Sequence, residues 1–195
     1  PGSSVLSGGA TLADVSAAGD IDGGAIPSWV PPEGKFADIS LNELIDVNPC
    51  PSNGCTWSGG GYGPEEMFRV WCGGVFAPEY GSKGAFLMMG GGHLSYDGNE
   101  VYAFDIASRS WVCHGTPSDY SGTDIQADGE YPDGTSPPPH TYGMTGYLPP
   151  AWGGGTLGSL LLFGFPGGSV EQRVHAINLE TGVWSRFTSA NLQFG

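Results

Sequence analysis

Positive charge is scarce in this sequence: 6 Lys and Arg stand against 20 Asp and Glu, a formal net charge of −14 over 195 residues. A basic groove for nucleic acid is not expected on such a chain. An acidic surface suits a soluble extracellular or high-salt setting, but it names no partner. Long apolar runs are missing as well. None approaches the roughly 20 residues that a membrane span needs, so no membrane span is expected. The familiar motifs of hydrolytic chemistry are also absent: there is no GxSxG elbow, no HExxH pair and no Cys–His pair at recognisable spacing. A chain that opens on Pro1 with no signal-peptide core is expected to be processed or to be a piece of something longer.

Cysteine is limited to Cys50, Cys55, Cys72 and Cys113. The segment "NPCPSNGC" puts Cys50 and Cys55 in a turn-rich loop, where a short disulfide is geometrically feasible. Zinc is the rival, but no CxxC pair or second ligand pair supports it. Cys72 and Cys113 fall within strand patterns and are expected as small buried hydrophobes.

What the chain does have is glycine and proline, 35 and 16 of them, together with 6 Trp, 8 Tyr and 9 Phe. Disordered segments are poor in aromatics, so this composition predicts a folded all-β protein with many turns. Residues 1–28, rich in Gly, Ala and Ser, are expected to form an arm or linker, leaving 29–195 as the folded portion.

An internal repeat organises that portion. "VYAFDIASRSW" (101–111) aligns without a gap on "VHAINLETGVW" (174–184), and Trp111 and Trp184 lie 73 residues apart. Upstream, "WCGGVFAP" (71–78) pairs with "MTGYLPP" (144–150). The pattern predicts four short strands in each unit: 68–76, 85–90, 100–105 and 110–114, then 141–148, 159–164, 173–179 and 183–188. Gly, Pro, Asn and Asp punctuate the joints, as hairpins require. The second strands, "AFLMM" and "LLLF", are apolar at every position, which means burial on both faces. A four-stranded sheet buried on both faces is expected to sit between copies of itself, as a β-propeller blade does.

Strand, glycines (Gly90, Gly91, Gly92), polar loop, aromatic (Tyr102 or Phe104) and tryptophan (Trp111) together resemble the kelch repeat. The second unit is more degenerate but retains Trp184. "MMGGGHLSYDGNEVYAFD" followed by "YPDGTSPPPHTYG" is similar to kelch-like propellers of bacteria and bacterial viruses. The resemblance covers about residues 29–188. It implies a partial kelch-like β-propeller with blades at 67–114 and 141–188, and an inter-blade insertion at 115–139. That insertion explains a period longer than the kelch repeat of about 50 residues. "PEGKFADIS" (32–40) resembles "ETGVWSRFT" (180–188), so Phe36–Ser40 is expected as an outer closing strand. Propellers hold about 4 to 8 blades, so further chain or other subunits are expected to complete the ring. The resemblance also implies an extracellular, cell-surface or virion setting.

Strand alternation puts the loop between strands two and three on the same side as the insertion. Loops on a rigid scaffold are where binding resides. The expected binding set is His93, Tyr96, Asp97, Asn99, Tyr131, His140 and Tyr142, and the expected ligand is a glycan or another protein. His93 can be read as a metal ligand or base facing His140, or as a hydrogen-bonding residue that shapes the glycine turn. Some propellers with kelch-type repeats are copper-radical oxidases using two histidines and two tyrosines. The alternative implied is therefore a secreted oxidoreductase of that kind, or a carbohydrate-active enzyme on the same scaffold. Asp119, Asp124, Asp128, Glu130 and Asp133 crowd the insertion. Hard oxygen ligands at that density suit Ca²⁺, although they match no EF-hand spacing and equally suit a solvated acidic loop. No other cofactor is expected.

Overall fold

Eight short strands account for the fold. The computed structural model describes residues 26–49, 64–68, 72–90, 96–139, 141, 144–163 and 174–187. The chain divides into two compact units, Pro1–Ile39 and Ser40–Gly195. In the second lie β1 Gly73–Ala77, β2 Ala85–Met89, β3 Val101–Asp105, β4 Ser110–His114, β5 Thr145–Leu148, β6 Ser159–Phe163, β7 Val174–Asn178 and β8 Trp184–Phe187. They form two four-stranded antiparallel sheets, ordered β1-β2-β3-β4 and β5-β6-β7-β8. Helix among the described residues is confined to one α-turn, Pro150–Gly153, and three 3₁₀ turns. This is an all-β fold of two blade-like sheets, the arrangement of a partial β-propeller.

Side chains alternate across each sheet, and the register decides what each face buries. Val75, Leu87 and Ala103 stand opposite one another on one face of the first sheet. On the second sheet Tyr147, Leu160, Ile177 and Trp184 are aligned in the same way. These two faces share one core: Ala77, Ala85, Leu87, Met89, Val101 and Ala103 are fully buried against Leu160, Leu162, Ile177 and Leu179. The other face of the first sheet carries Met88, Tyr102 and Cys113 in register. It is covered by Leu44 and Met67, with Val47, Cys72 and Trp111 packed alongside. The apolar run in β2 is therefore buried on both sides, as expected, but a copy of the sheet covers only one of them. The 3₁₀ turns Leu44–Val47 and Pro64–Phe68 cover the other.

The repeat fixes how the blades stack. Tyr102 and Trp111 correspond to His175 and Trp184, yet the first pair faces the 3₁₀ turns while the second faces the first blade. The back of one blade thus rests on the front of the next, the sense in which repeats stack indefinitely. Among the described residues no sheet packs over the face of the second sheet that corresponds to the core-facing side of the first. Leu148, Ser159, Ala176 and Phe187 line a groove there of about 430 Å³, beside Trp152, which is 80% exposed, and Phe163 at 42%.

The expected closing segment forms no strand in this chain: residues 36–40 lie in none. Both sheets already have four strands, and the blade this segment is expected to close is one that further chain or other subunits would supply. What meets the β4 edge comes just afterwards. Leu41 N–H donates to the Arg109 carbonyl at 2.9 Å. The Asn42 side-chain amide then donates to the Trp111 carbonyl at 3.1 Å and accepts from its N–H at 2.7 Å. One side chain thus substitutes for a rung of ladder and covers an edge that would otherwise offer unpaired backbone groups.

Candidate functional site

The connection between β2 and β3 and the long insertion after β4 meet, and the residues that join them are polar and buried. Asn99 is 1% exposed. Its side-chain NH₂ donates to Ser118 Oγ (3.1 Å), Thr135 Oγ1 (2.9 Å) and the Ser136 carbonyl (3.0 Å), and its Oδ1 accepts from Ser118 N–H at 2.8 Å. Ser118 and Thr135 hydroxyls close the network at 2.7 Å. Beside it, the Tyr131 hydroxyl donates to the Asp97 carbonyl at 3.1 Å. Asn and Ser offer several donors and acceptors on short stems, which lets a segment without a ladder of its own be fixed by side chains. Replacing Asn99 by Ala would strip Ser118 N–H of its buried acceptor. We expect a loss of about 2 kcal/mol by thermal melt, with faster proteolytic cleavage within 116–136.

Tyr96, Asp97, Asn99 and Tyr131 are thus brought together, as the sequence anticipates, but none is an exposed anchor. Each is at most 3% exposed, because the insertion lies over the loop and roofs it. The expectation that Tyr96 and Asp97 lie outward is corrected accordingly. His93, His140, Tyr142, Cys50 and Cys55 lie outside the described residues.

Under the roof sits a carboxyl that the sequence did not mark as functional. Glu100 Oε1 accepts from the Tyr102 hydroxyl at 2.6 Å and from the Tyr96 hydroxyl, while Oε2 is buried with no hydrogen-bond partner among the described residues. Burial pushes the Glu100 carboxyl above its usual range, partly opposed by the two tyrosine bonds. Burial and then the Glu100 charge push both tyrosines far up. The neighbouring Cys113 thiol is pushed to about 12, by burial first and Glu100 second, so it is not a nucleophile at neutral pH.

The insertion is also tied to the second blade. His175 and Arg186 are cross-strand partners on β7 and β8. Glu130 Oε1 lies 2.9 Å from His175 Nε2, and Arg186 Nη1 donates to both Glu130 oxygens at 3.1 Å. Burial alone would raise the Glu130 pKa, but the His175 and Arg186 hydrogen bonds and charges outweigh it and hold the carboxylate low. Nothing local in "ADGEYPD" singles out Glu130, whose partners are 45 and 56 residues away. Other acids of the insertion are engaged at short range: Asp124 accepts from the Ser121 N–H, and Asp133 accepts from Thr135. Among the described residues, no group of three or more His, Cys, Asp or Glu is placed to hold a metal ion.

Between the insertion and the β7–β8 turn opens a cleft of about 620 Å³, lined by Thr116, Pro117, Ser118, Asp119, Tyr120, Asp133, Thr135, Gly182 and Trp184. Two of its walls are aromatic and braced from behind. Tyr120 lies against the buried Tyr131 with ring centroids 5.8 Å apart, and Trp184 meets His175 edge-on at 6.4 Å. This cleft lies one layer above the residues singled out from sequence. Tyr120 and Trp184 were visible as aromatics, but only the fold brings them to one cleft. Comparison with family models, with curated proteins and with solved structures finds no match.

Proposed function

We propose that this chain is a non-catalytic binding or assembly module, part of a kelch-like propeller that offers its loop-built side to a glycan or protein partner. The observation that carries this is the side-chain network from Asn99 to Ser118 and Thr135. It makes the insertion a fixed platform with a cleft at its margin, and a platform ordered in advance loses less entropy on binding. The face of the second blade that no described sheet covers supports the assembly half of the proposal. Its counterpart on the first blade already seats a sheet, so a further four-stranded sheet, from more of this chain or from another subunit, is its natural cover. An extracellular, cell-surface or virion setting, with a Cys50–Cys55 bond stabilising its loop, belongs to the same proposal.

The test is attachment. The complete protein, fluorescently labelled, is titrated onto isolated bacterial cell envelopes beside a variant whose residues 119–134 are replaced by a Gly-Ser linker. We expect saturable attachment by the parent and its loss in the variant, with the variant's strand content by circular dichroism unchanged. Equal attachment by both would sink the proposal.

A further inference from the structure

We propose that the face of the second sheet over which no described sheet packs is the contact of a two-fold dimer, in which Trp152 of each copy enters the groove beside Phe187 of the other. This rests on the assembly half of the proposal above and commits its partner to a second copy of this chain.

The register defines the face. Gly146, Leu161, Ala176 and Ser185 stand in one row across the four strands. Phe163, Val174 and Phe187 form the row beside it. The Phe163 ring lies over Gly146, where a Cβ would stand 3.0 Å from Cε2. A sheet with one wet face alternates apolar inside and polar outside, whereas β6 is apolar on this side too, with Leu161 and Phe163. The first sheet shows what such a face does. Val75, Leu87 and Ala103 occupy the corresponding row there, and they pack against a sheet. Here the same row leaves Trp152 80%, Val183 60% and Phe163 42% exposed. Contiguous apolar exposure of this kind marks an interaction surface.

Charge and shape point to a second copy. The groove of about 430 Å³ has no Lys, Arg, His, Asp or Glu in its lining, although the chain carries a net charge of −14. Two copies can therefore meet here without bringing carboxylates together in the contact, and a basic partner finds nothing here to pair with. Glu180, in the β7–β8 turn next to the groove, already accepts from Thr156 N–H at 2.7 Å. Knob and hole lie on one face. Trp152 projects from the turn Pro150–Gly153, and the groove holds more than an indole needs, since drug-sized ligands occupy about 300–1,000 Å³. A patch holding both is self-complementary, as a two-fold contact requires. Four strands about 4.8 Å apart and five residues of about 3.4 Å each offer roughly 300 Å² of flat sheet. Trp152 can add up to about 250 Å². With side-chain relief this nears the roughly 800 Å² per partner of a standard interface, so the dimer is expected to be reversible and of micromolar Kd.

The experiment follows the mass of the complete protein by analytical ultracentrifugation from about 1 to 300 µM, a span that brackets such a Kd. We expect a monomer–dimer equilibrium that more salt drives towards dimer, because screening weakens the repulsion between two acidic chains. Trp152→Ser and Val183→Lys should each weaken association at least tenfold, with melting temperature unchanged because both side chains are mostly exposed. The lysine is informative because it lowers the net negative charge, which by itself would favour association. Phe36→Ser, an exposed aromatic of the other compact unit, should leave the equilibrium unmoved. A monomer at every concentration would overturn the proposal, and so would growth beyond dimer or association that neither Trp152→Ser nor Val183→Lys weakens. Should that monomer still attach to cell envelopes, the binding or assembly module would stand and only its second copy would fall. If Trp152→Ser abolished that attachment, the face would belong to an envelope component. A monomer that attaches no better than the variant without residues 119–134 would remove both readings.

Discussion

Gly90→Val should destabilise the protein by about 3 kcal/mol, the combined effect of a strained backbone and an overpacked site. Gly90 ends the buried strand β2 with φ 125°, a region that β-branched residues scarcely enter. A Cβ there would stand 2.8 Å from the Pro139 carbonyl oxygen and 3.1 Å from Thr141 Cγ2. Thr141 is not free to retreat. Thr141 Oγ1 accepts from Gly73 N–H at 2.7 Å and donates to the Met89 carbonyl at 3.2 Å, so it bolts the end of the insertion to β1 and β2 at once. A control separates strain from collision: Gly134 also has positive φ, 80°, but a Cβ there meets nothing within 4 Å. Gly134→Ala should therefore cost only the backbone preference, about 1 kcal/mol. Chemical denaturation of both variants gives the difference. Equal losses would mean that Thr141 yields more easily than its hydrogen bonds imply.

The special backbone of Gly90 was legible in the sequence because its cause is local. A strand apolar at every position must leave a dry environment abruptly, and glycines after "AFLMM" are how a chain does so. The strands were legible for a similar reason: hairpin residues bound each of them, and the repeat from Val101 and Val174 checks one unit against the other. Failures occurred where the deciding partner lies far along the chain. Phe36–Ser40 looks like an outer strand, yet a strand needs a sheet edge to pair with, and the blade it is expected to close is neither of the two sheets here. In this chain Leu41 and the Asn42 side chain are what reach the β4 edge. Tyr96, Asp97 and Asn99 have the composition of a binding loop, and only the insertion lying over them makes them a floor. Glu130 looked like one acid among many, and its partnership with His175 and Arg186 depends on the β7–β8 register. The site was thus legible as a neighbourhood, the meeting of the 96–100 loop with the insertion, but not as a surface.

The two buried glutamates should give stability opposite responses to pH, and replacing Glu100 should expose this. Glu130 is held below its ordinary pKa, so its contribution is present above the unfolded value and fades as acid titrates through the folded one. Glu100 is shifted upward. Its contribution is complete below the ordinary carboxyl range and disappears as pH rises through the folded pKa, because the unfolded chain releases a proton that the buried group retains. Within that window stability should fall by up to about 1.4 kcal/mol per pH unit on account of Glu100. Gln is the isostere of the protonated acid. Its carbonyl can still accept from Tyr96 and Tyr102, and its NH₂ takes the place of the unpartnered Oε2. Glu100→Gln should therefore match the parent near pH 4 and exceed it near pH 8, by about 1–2 kcal/mol if the charged form lacks a partner for one oxygen. Glu100→Ala removes the acceptor altogether, leaving two buried tyrosine hydroxyls beside a cavity. It should lose about 3 kcal/mol at every pH. Melting temperatures of the three proteins across this range decide the matter. Parallel curves for the parent and Glu100→Gln would show that Glu100 titrates as it does in the unfolded chain, and that water reaches the pocket beneath the insertion.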